Sequence, residues 1–246
     1  MAESKKRSRL TQSKLSFSQS SKSSQSSSVN DTVYYLLISD QHKEGIKKKD
    51  IQKHVLNNSG KVMRSVLAAA KEKLQDVFGY ELVELDDKQG SVILVNKVDL
   101  SEYSQFLRRQ AYFPFLLQTK SDKDLARQGL IILILALVLM NDGAVREDLL
   151  WKMLKPYALD PNVTDPTFGD VRKLICNELV KQAYLEQTVI LGSDPPLHQY
   201  HWGMRAKKEI SKRFVLEIVC KIMGQGTQPE HWASVYDEVV RSENTN

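Results

Sequence analysis

An uninterrupted apolar run, LIILILALVLM, occupies residues 130–140 and constrains the fold more than any other part of the chain. A helix rises about 1.5 Å per residue, so this run spans about 16 Å, roughly half of the hydrocarbon layer of a bilayer. Charged and turn-forming residues flank it, with TKSDKDLARQ before and NDG after. The run therefore predicts a buried core helix. Its uniform apolarity also predicts a second cover, provided by another domain or by a partner.

The net charge of +5 resides in residues 1–29, which hold six lysines and arginines against one glutamate. These residues also contain twelve serines and few large apolar groups, a composition that predicts a disordered tail. The KKRSR cluster fits a nuclear import signal and a solvating charge run equally well. Because no apolar signal region follows Met1, we expect a cytosolic or nuclear protein.

Residues 30–98 predict three helices followed by a β-hairpin. The first helix is expected to start at an Asn30/Asp31 cap, and the second and third lie in IKKKDIQKHVL and GKVMRSVLAAAKEKLQDVFG. Gly79 is placed to end the third helix. The alternating segments YELVEL and SVILVN then flank the turn DDKQG. This order is typical of a winged helix-turn-helix domain.

The same order repeats in residues 122–240, after a connector at residues 99–121 that contains the amphipathic stretch YSQFLRRQAYFPFLL. Its helices are the apolar run, REDLLWKML and TFGDVRKLICNELV, and Thr167–Asp170 form a possible capping box for the third. AYLEQTVIL and LHQYHWG predict the hairpin. The predicted fold class is mainly α with small β-hairpins: tandem winged-helix domains preceded by a disordered tail.

A single long helix is predicted after this second hairpin, from Met204 to Met223. Apolar residues recur along it at intervals of four, which is the spacing of one helical face. A last short helix is expected to begin at Pro229. The apolar residues of the long helix are Ile210, Phe214, Ile218 and Ile222.

No motif of a catalytic, cofactor or metal site is present in the sequence. The GQG at residues 224–226 lacks the lysine of a phosphate-binding loop, and His198 and His201 would point to opposite faces of a strand. Cys176 and Cys220 lie far apart in amphipathic patterns, where reduced buried thiols are usual. We therefore expect a non-enzymatic protein without cofactor or metal.

Basic residues form three clusters that predict contact with DNA phosphates, although solvated helix faces explain such clusters as well. One cluster lies on the third helix of the second half, where helix-turn-helix proteins meet DNA. Another recurs at intervals of three and four on the predicted long helix, and the last begins the second helix of the first half. These candidate DNA-binding residues are Arg172, Lys173, Lys181, Arg205, Lys208, Lys212, Lys47, Lys48 and Lys49.

Leu36 and Leu37 lie on a first helix that is too short to bury its whole apolar surface without a neighbour. Core packing explains most of this surface. The more specific alternative is that these leucines contact a partner, with the helix lying in a groove of that partner.

Several blocks of the sequence, in order over residues 30–240, resemble the MAGE homology domain. They are LQDVFGYELVELDDKQGSVILVNKVDL, GLIILILALVLMNDGAVREDLLWKML, DPTFGDVRKLICNELVKQAYLEQ and SDPPLHQYHWGMRAKKEISK. The family fold of two winged-helix domains agrees with the repeated element order. With YYLLISDQHKEGIKKKDI, the chain looks most like the ancestral-type member, which belongs to the SMC complex devoted to DNA repair and recombination. Where the commoner members have a Lys-Gly-Asn-Arg turn, this chain has MNDGAVRE.

The resemblance implies a nuclear, chromosome-associated scaffold that bridges a RING-type ubiquitin ligase subunit and a kleisin subunit, stimulates the ligase and contacts double-stranded DNA non-specifically. The family's dileucine, used toward the RING subunit, falls on Leu36 and Leu37, and the kleisin groove carries over to Leu149, Leu150 and Leu179. Two alternatives stay open: a sequence-specific winged-helix transcription regulator, and a substrate adaptor for ubiquitin ligases outside the chromosome complex.

Overall fold

The computed structural model describes residues 26–85, 90–97, 121–192, 196–224 and 227–243. The chain divides into two compact units, Met1–Leu94 and Val95–Asn246. The connector predicted at residues 99–121 lies outside the described residues except for Ser121, as do residues 1–25 of the predicted tail. Within the described ranges, no helix combines the length and the apolarity needed to cross a bilayer.

The first unit contains three helices and a three-stranded antiparallel sheet. Helix α1 comprises residues 26–39, and a 3-10 turn follows at Asp40–His42. The strands pair in the order β1-β3-β2, with Ile46 opposite Val92. The remaining elements are β1 (Ile46–Lys47), α2 (Lys48–His54), a 3-10 turn (Gly60–Val62), α3 (Met63–Phe78), β2 (Tyr80–Glu84) and β3 (Ser91–Asn96).

Helix α1 begins earlier than its capping pattern predicted. Residues 26–30 are already helical, so the expected start at Asn30/Asp31 is wrong. Thr32 is fully buried in this helix, and its hydroxyl donates to the backbone carbonyl of Ser28 at 2.7 Å. The apolar side of α1 packs on α3 and the sheet, in a core that includes Val33, Leu36 and Leu74.

The second unit begins with helix α4 and contains two antiparallel sheets. The larger sheet has the strand order β4-β8-β7, and Gln187 of β7 lies opposite Tyr200 of β8. Residues 193–195, the tip of the predicted hairpin, lie outside the described part of the chain. The elements are α4 (Asp122–Leu139), β4 (Val145–Arg146), α5 (Glu147–Leu154), β5 (Thr164–Asp165), β6 (Gly169–Asp170), α6 (Val171–Lys181), β7 (Leu185–Ile190), β8 (Leu197–Trp202), α7 (Met204–Glu209), α8 (Lys212–Met223) and α9 (Ala233–Glu243), with 3-10 turns at Lys155–Tyr157 and Pro229–His231.

The third helix of this unit, α6, starts with a different cap from the one predicted. Asp170 is its N-cap, and its carboxylate accepts from the backbone N–H of Lys173 at 2.8 Å. Thr167 lies in the preceding turn, where its own N–H donates to Asp165. The Thr167–Asp170 capping box is therefore wrong. The middle of the helix, Leu174–Glu178, is π-helical.

The predicted long helix from Met204 to Met223 is two helices. The backbone is extended at Ile210, with φ −123° and ψ 122°, so α7 ends there. Ser211 then caps α8, and its hydroxyl accepts from the N–H of Phe214 at 3.4 Å. Because a serine cap satisfies one of the free N–H groups of a helix start, a new helix begins without a long loop.

Helices α4 and α8 run antiparallel. The Glu238 carboxylate of α9 lies against Gly143, just after the end of α4, and is ion-paired to Lys212 at the start of α8. At the same end, the Trp202 indole donates to the carbonyl of Leu135 at 3.0 Å. The core of this unit lies between the two helices and the sheet. Because the start of α8 lies near the end of α4 and the helices are antiparallel, the end of α8 lies beside the start of α4.

The described structure confirms the mainly helical class with small antiparallel sheets. In both units, three helices are followed by two strands that lie in one sheet with the short first strand. The winged-helix interpretation of that order stays a prediction.

Candidate partner-binding surfaces

An apolar groove of about 590 Å³ lies between α4 and α8. We call it the α4/α8 groove. Its walls carry aliphatic and aromatic side chains from both helices and from the turn after α5. They are Leu125, Gly129, Ile132, Leu133, Ala136, Leu137, Met140, Tyr157, Phe214, Ile218, Val219, Ile222 and Met223.

The groove exists because α4 is apolar on every side. Ile134, Leu135 and Val138 are fully buried in the core of the unit. Ile132 and Leu137, on the other side, are only half-buried and face the groove. One neighbouring layer covers about one face of a helix, so the second apolar face stays partly open.

The most open part of the α4/α8 groove is the end formed by the start of α4 and the end of α8. Ile222 is 78% exposed, Met223 is 61% exposed, and Leu125 also has a large exposed fraction. Contiguous exposed apolar groups of this kind mark interaction sites in folded proteins. The spacing of Phe214, Ile218 and Ile222 in the sequence is the signal for this surface, although the spacing alone predicts a core face.

The predicted kleisin-contacting leucines are placed mostly in the core. Leu150 is fully buried, and Leu179 is 1% exposed among the residues that pack α5 against α6. These two side chains are therefore not accessible in this structure, and their contact with a kleisin stays a prediction. Leu149 alone is half-buried and accessible.

The predicted dileucine is likewise divided between core and surface. Leu36 is 0% exposed and belongs to the core of the first unit, so its side chain is not accessible in this structure, and its contact with a partner stays a prediction. Leu37 is half-buried. Beside it, one helical turn apart, lie Tyr34 at 68% and Ile38 at 45% exposure. The apolar surface that α1 presents to solvent, the α1 face, therefore consists of Tyr34, Leu37 and Ile38.

Five of the nine candidate DNA-binding residues have exposed side chains. In the second unit, Arg172 lies at the start of α6, where it pairs with Glu147 at 3.7 Å and stacks its guanidinium over Trp151 at 5.9 Å. Lys48 is half-buried and bonded to Glu84. The exposed residues are Lys47, Lys49, Arg172, Lys173 and Lys181.

Arg205 is the clearest departure from the predicted basic surface. Its side chain is 0% exposed, and its Nε donates to the carbonyl of Gln182 at 2.9 Å. A guanidinium N–H donates to Glu209 at 3.0 Å, and the other oxygen of that carboxylate accepts from the Tyr184 hydroxyl at 2.9 Å. The Arg205 side chain is therefore not accessible in this structure, because reaching a phosphate would leave Glu209 buried without its cation. Its contact with DNA stays a prediction.

The two lysines of the same predicted face, Lys208 and Lys212, are also less exposed than predicted. Lys212 is bonded to Glu238, and its ammonium lies 5.8 Å from the centre of the Trp202 ring. Lys208 is half-buried on α7. Because the chain changes direction at Ile210, the three basic residues do not form one helical face.

The described residues contain no group of His, Cys, Asp and Glu side chains that could hold a metal ion. Burial is the main influence on the Cys176 thiol and raises its pKa. A thiol of raised pKa is protonated near neutral pH and is a poor nucleophile. Cys220 is buried in the core of the second unit.

The fold and these surfaces define a two-unit, mainly helical chain with exposed apolar and basic faces. The chain belongs to the MAGE homology domain family, whose family model matches residues 32–213. The resemblance predicted from the sequence blocks is therefore confirmed.

The relatives include a non-structural maintenance of chromosomes element 3 homolog from Homo sapiens, 34% identical over 87% of this chain and 66% of that protein. The Mus musculus protein of the same name is 35% identical and is covered to 72%. Melanoma-associated antigen D2 of Homo sapiens is 33% identical, but only 33% of its length is matched.

A solved structure of the Nse1-Nse3-Nse4 complex contains a chain of similar fold. Its TM-score is 0.73 at 34% identity, and the match covers 88% of this chain and 98% of that one. The similarity therefore extends over both units of the described fold.

Proposed function

We propose that this chain is a non-enzymatic scaffold subunit of an SMC-type DNA repair and recombination complex in the nucleus. The observation that carries the proposal is the similarity to a chain from the Nse1-Nse3-Nse4 complex, which covers 88% of this chain and 98% of that one. In this proposal the chain bridges a RING-type ubiquitin ligase subunit and a kleisin subunit, stimulates the ligase and contacts double-stranded DNA. We assign binding of the RING-type subunit to the first unit, and binding of the kleisin and of DNA to the second.

The α1 face is the surface that we assign to the RING-type subunit. It retains the neighbourhood of the dileucine, but Tyr34 and Ile38 take the place of Leu36 as the accessible apolar groups. Aromatic side chains that become desolvated at an interface are common binding hot spots. We also infer that each unit is a winged helix, an interpretation supported by the repeated order of helices and hairpin.

The α4/α8 groove is the surface that we assign to the kleisin. Two antiparallel helices with an apolar floor between them offer the geometry in which an amphipathic helix of a partner docks. The volume of about 590 Å³ accommodates several apolar side chains of such a helix. This assignment replaces the buried Leu150 and Leu179 and moves the site away from Leu149.

Replacing Ile222 by aspartate tests the kleisin assignment. A charge at the open end of the groove would be desolvated by the docked helix, so affinity for a labelled kleisin segment is expected to fall by at least about 30-fold, the effect of losing a hot spot. Fluorescence anisotropy measures this change. Leu191→Asp is the matched control, because Leu191 is 95% exposed at the end of β7 and lies outside the groove. Equal affinities for the two variants would remove the groove from the kleisin site.

DNA contact is assigned to the exposed lysines of α6, supported by their exposure and by the position of this helix in the unit. Replacing Lys173 and Lys181 by glutamate is expected to lower the slope of log K against log salt by about one unit for each phosphate that the chain no longer binds. Duplex binding is measured over a range of salt concentrations. Lys221→Glu, a charge reversal at an exposed lysine of α8, should leave the slope unchanged. An unchanged slope in the double variant would contradict the assignment.

A competition assay distinguishes the scaffold from a sequence-specific regulator. A scaffold that binds the phosphate backbone shows nearly equal affinity for random duplexes and for duplexes selected by the protein. A regulator that reads bases binds its selected duplex more tightly by about a thousandfold or more. Competition between the two duplex pools therefore decides between these functions.

A further inference from the structure

We propose that Gly129 of α4 determines which kleisin helices the α4/α8 groove accepts. The space that a side chain at this position would fill, the Gly129 notch, receives one large apolar side chain of the docked helix. The proposal rests on the assignment of the groove to the kleisin under the function proposed above. It adds to that assignment the residue that sets the specificity.

Gly129 has neither of the usual structural reasons for a glycine. It lies in the interior of α4, an 18-residue helix, and its φ is helical rather than positive. A Cβ added to Gly129 would meet no atom of the described residues within 4 Å. Gly203 provides the contrast, because a Cβ there would overlap the carbonyl oxygen of Ala183. The packing of the described chain therefore does not require a glycine at position 129.

Glycine at this position also weakens α4. In the interior of a helix, glycine loses more conformational freedom on folding than alanine, which is the most favourable residue there. Gly129 is exposed and lines the α4/α8 groove. A residue that costs helix stability and relieves no crowding inside the chain points to a surface shape that a partner uses.

The Gly129 notch lies at the open end of the groove. Leu125 and Leu133, one helical turn before and after Gly129, share its face of α4 and line the groove. The Cα atoms of a helix lie about 2.3 Å from its axis and its side chains extend to about 5–6 Å, so the missing side chain leaves a depression about 3 Å deep. Ile222 of α8, which is 78% exposed, lies at the same end. Branched apolar side chains therefore surround a depression that is open to solvent.

The lining of the groove selects an apolar side chain for this depression. Among the lining residues that the structure describes, the Tyr157 hydroxyl is the one polar side-chain group. A charged or amide side chain in the notch would lose its hydrogen bonds to water without gaining new ones. Amphipathic partner helices place apolar anchors at intervals of three and four residues. We therefore expect the anchor that enters the notch to be leucine, methionine or phenylalanine.

Gly129→Leu tests the proposal, because its side chain fills the notch. Affinity for a labelled kleisin segment is expected to fall by at least about 30-fold, the effect of losing a hot spot. The midpoint of thermal unfolding of the second unit should rise by about 1–4 °C, because a good helix former replaces glycine. Fluorescence anisotropy measures the affinity, and tryptophan fluorescence measures the midpoint. Gly129→Ala, which fills less of the notch, should show a smaller loss of affinity.

Lys123→Leu is the matched control. It adds a leucine to the first turn of α4, at an exposed residue outside the groove, and should bind the kleisin segment as tightly as the unmodified chain. Unchanged affinity in Gly129→Leu would overturn the proposal. An equal loss of affinity in Lys123→Leu would overturn it as well, because any leucine added to α4 would then have the same effect.

Truncation of the kleisin segment identifies the anchor. Each large apolar residue of the segment is replaced by alanine in turn, and one of these variants should bind the unmodified chain more weakly. The same variant should bind the Gly129→Leu chain at least about tenfold more tightly than the unmodified segment does, because the shortened anchor leaves room for the new leucine. If no truncated segment recovers affinity for Gly129→Leu, the proposal is contradicted.

Gly129→Leu and Ile222→Asp distinguish failure of the notch from failure of the kleisin assignment. Normal binding by Gly129→Leu together with weak binding by Ile222→Asp would reject the notch and leave the groove as the kleisin site. Normal binding by both variants would reject the kleisin assignment and the notch with it.

Discussion

Arg205→Met is expected to lower the free energy of unfolding of the second unit by about 3–5 kcal/mol, the usual effect of removing one partner from a buried ion pair. The side chain of Arg205 is 0% exposed and that of Glu209 is 6% exposed, so water cannot replace the missing cation. The carbonyl of Gln182 also loses its hydrogen bond from the Arg205 Nε. The change is measured by urea denaturation followed by tryptophan fluorescence, since all three tryptophans lie in the second unit.

A double variant separates the buried charge from simple loss of packing. Glu209→Gln removes the negative charge but keeps an oxygen that accepts from the Tyr184 hydroxyl. Arg205→Met combined with Glu209→Gln should therefore be more stable than Arg205→Met alone, because an uncompensated buried carboxylate is the largest cost. A fully stable Arg205→Met chain with a reduced salt slope for DNA would instead restore this residue to the DNA surface.

Leu36→Ala is expected to destabilise the first unit by about 2–5 kcal/mol, the range for a fully buried leucine that leaves a cavity. Far-UV circular dichroism during denaturation measures the effect, because the first unit contains no tryptophan. Loss of RING-type subunit binding in this variant would then follow from loss of the folded unit, and binding alone would not show that Leu36 is a contact residue.

The accessible residues of the α1 face provide the informative comparison. Tyr34→Ala combined with Ile38→Asp should leave the unfolding transition close to that of the unmodified chain, because both side chains are largely exposed. Affinity for the RING-type subunit is expected to fall by at least about 30-fold. Val77→Asp, at a residue of α3 that is 64% exposed, is the control for a new surface charge. Full binding by the Tyr34/Ile38 variant would move the ligase site elsewhere.

Much of the fold was predictable because its signals are local. The apolar run predicted a core helix from its length and flanks, and α4 spans Asp122–Leu139 around it. The hairpin strands followed from alternation, and β7 and β8 pair in register from Leu185 opposite Trp202. The break at Ile210 was missed because the spacing of apolar residues continues across it, although Ser211 offered a capping signal.

The candidate sites were less predictable because burial depends on neighbours that are distant in the sequence. Leu36 and Leu37 are adjacent and chemically identical, and only the packing of α1 on α3 makes the first a core residue and the second partly accessible. Arg205 has the spacing of a surface residue. Its burial depends on Gln182 and Tyr184, which follow a different helix.

The amino-acid sequence by itself determined the order of the main helices and the hairpin strands, the family, and the presence of one helix that is too apolar for a single neighbour to cover. Helical and strand periodicities arise within a few residues, so they are readable without knowing the fold. The tertiary structure decided which side of that helix stays open, because α8 covers only part of it. It also decided which cations face solvent, because desolvation and pairing are set by side chains from other elements.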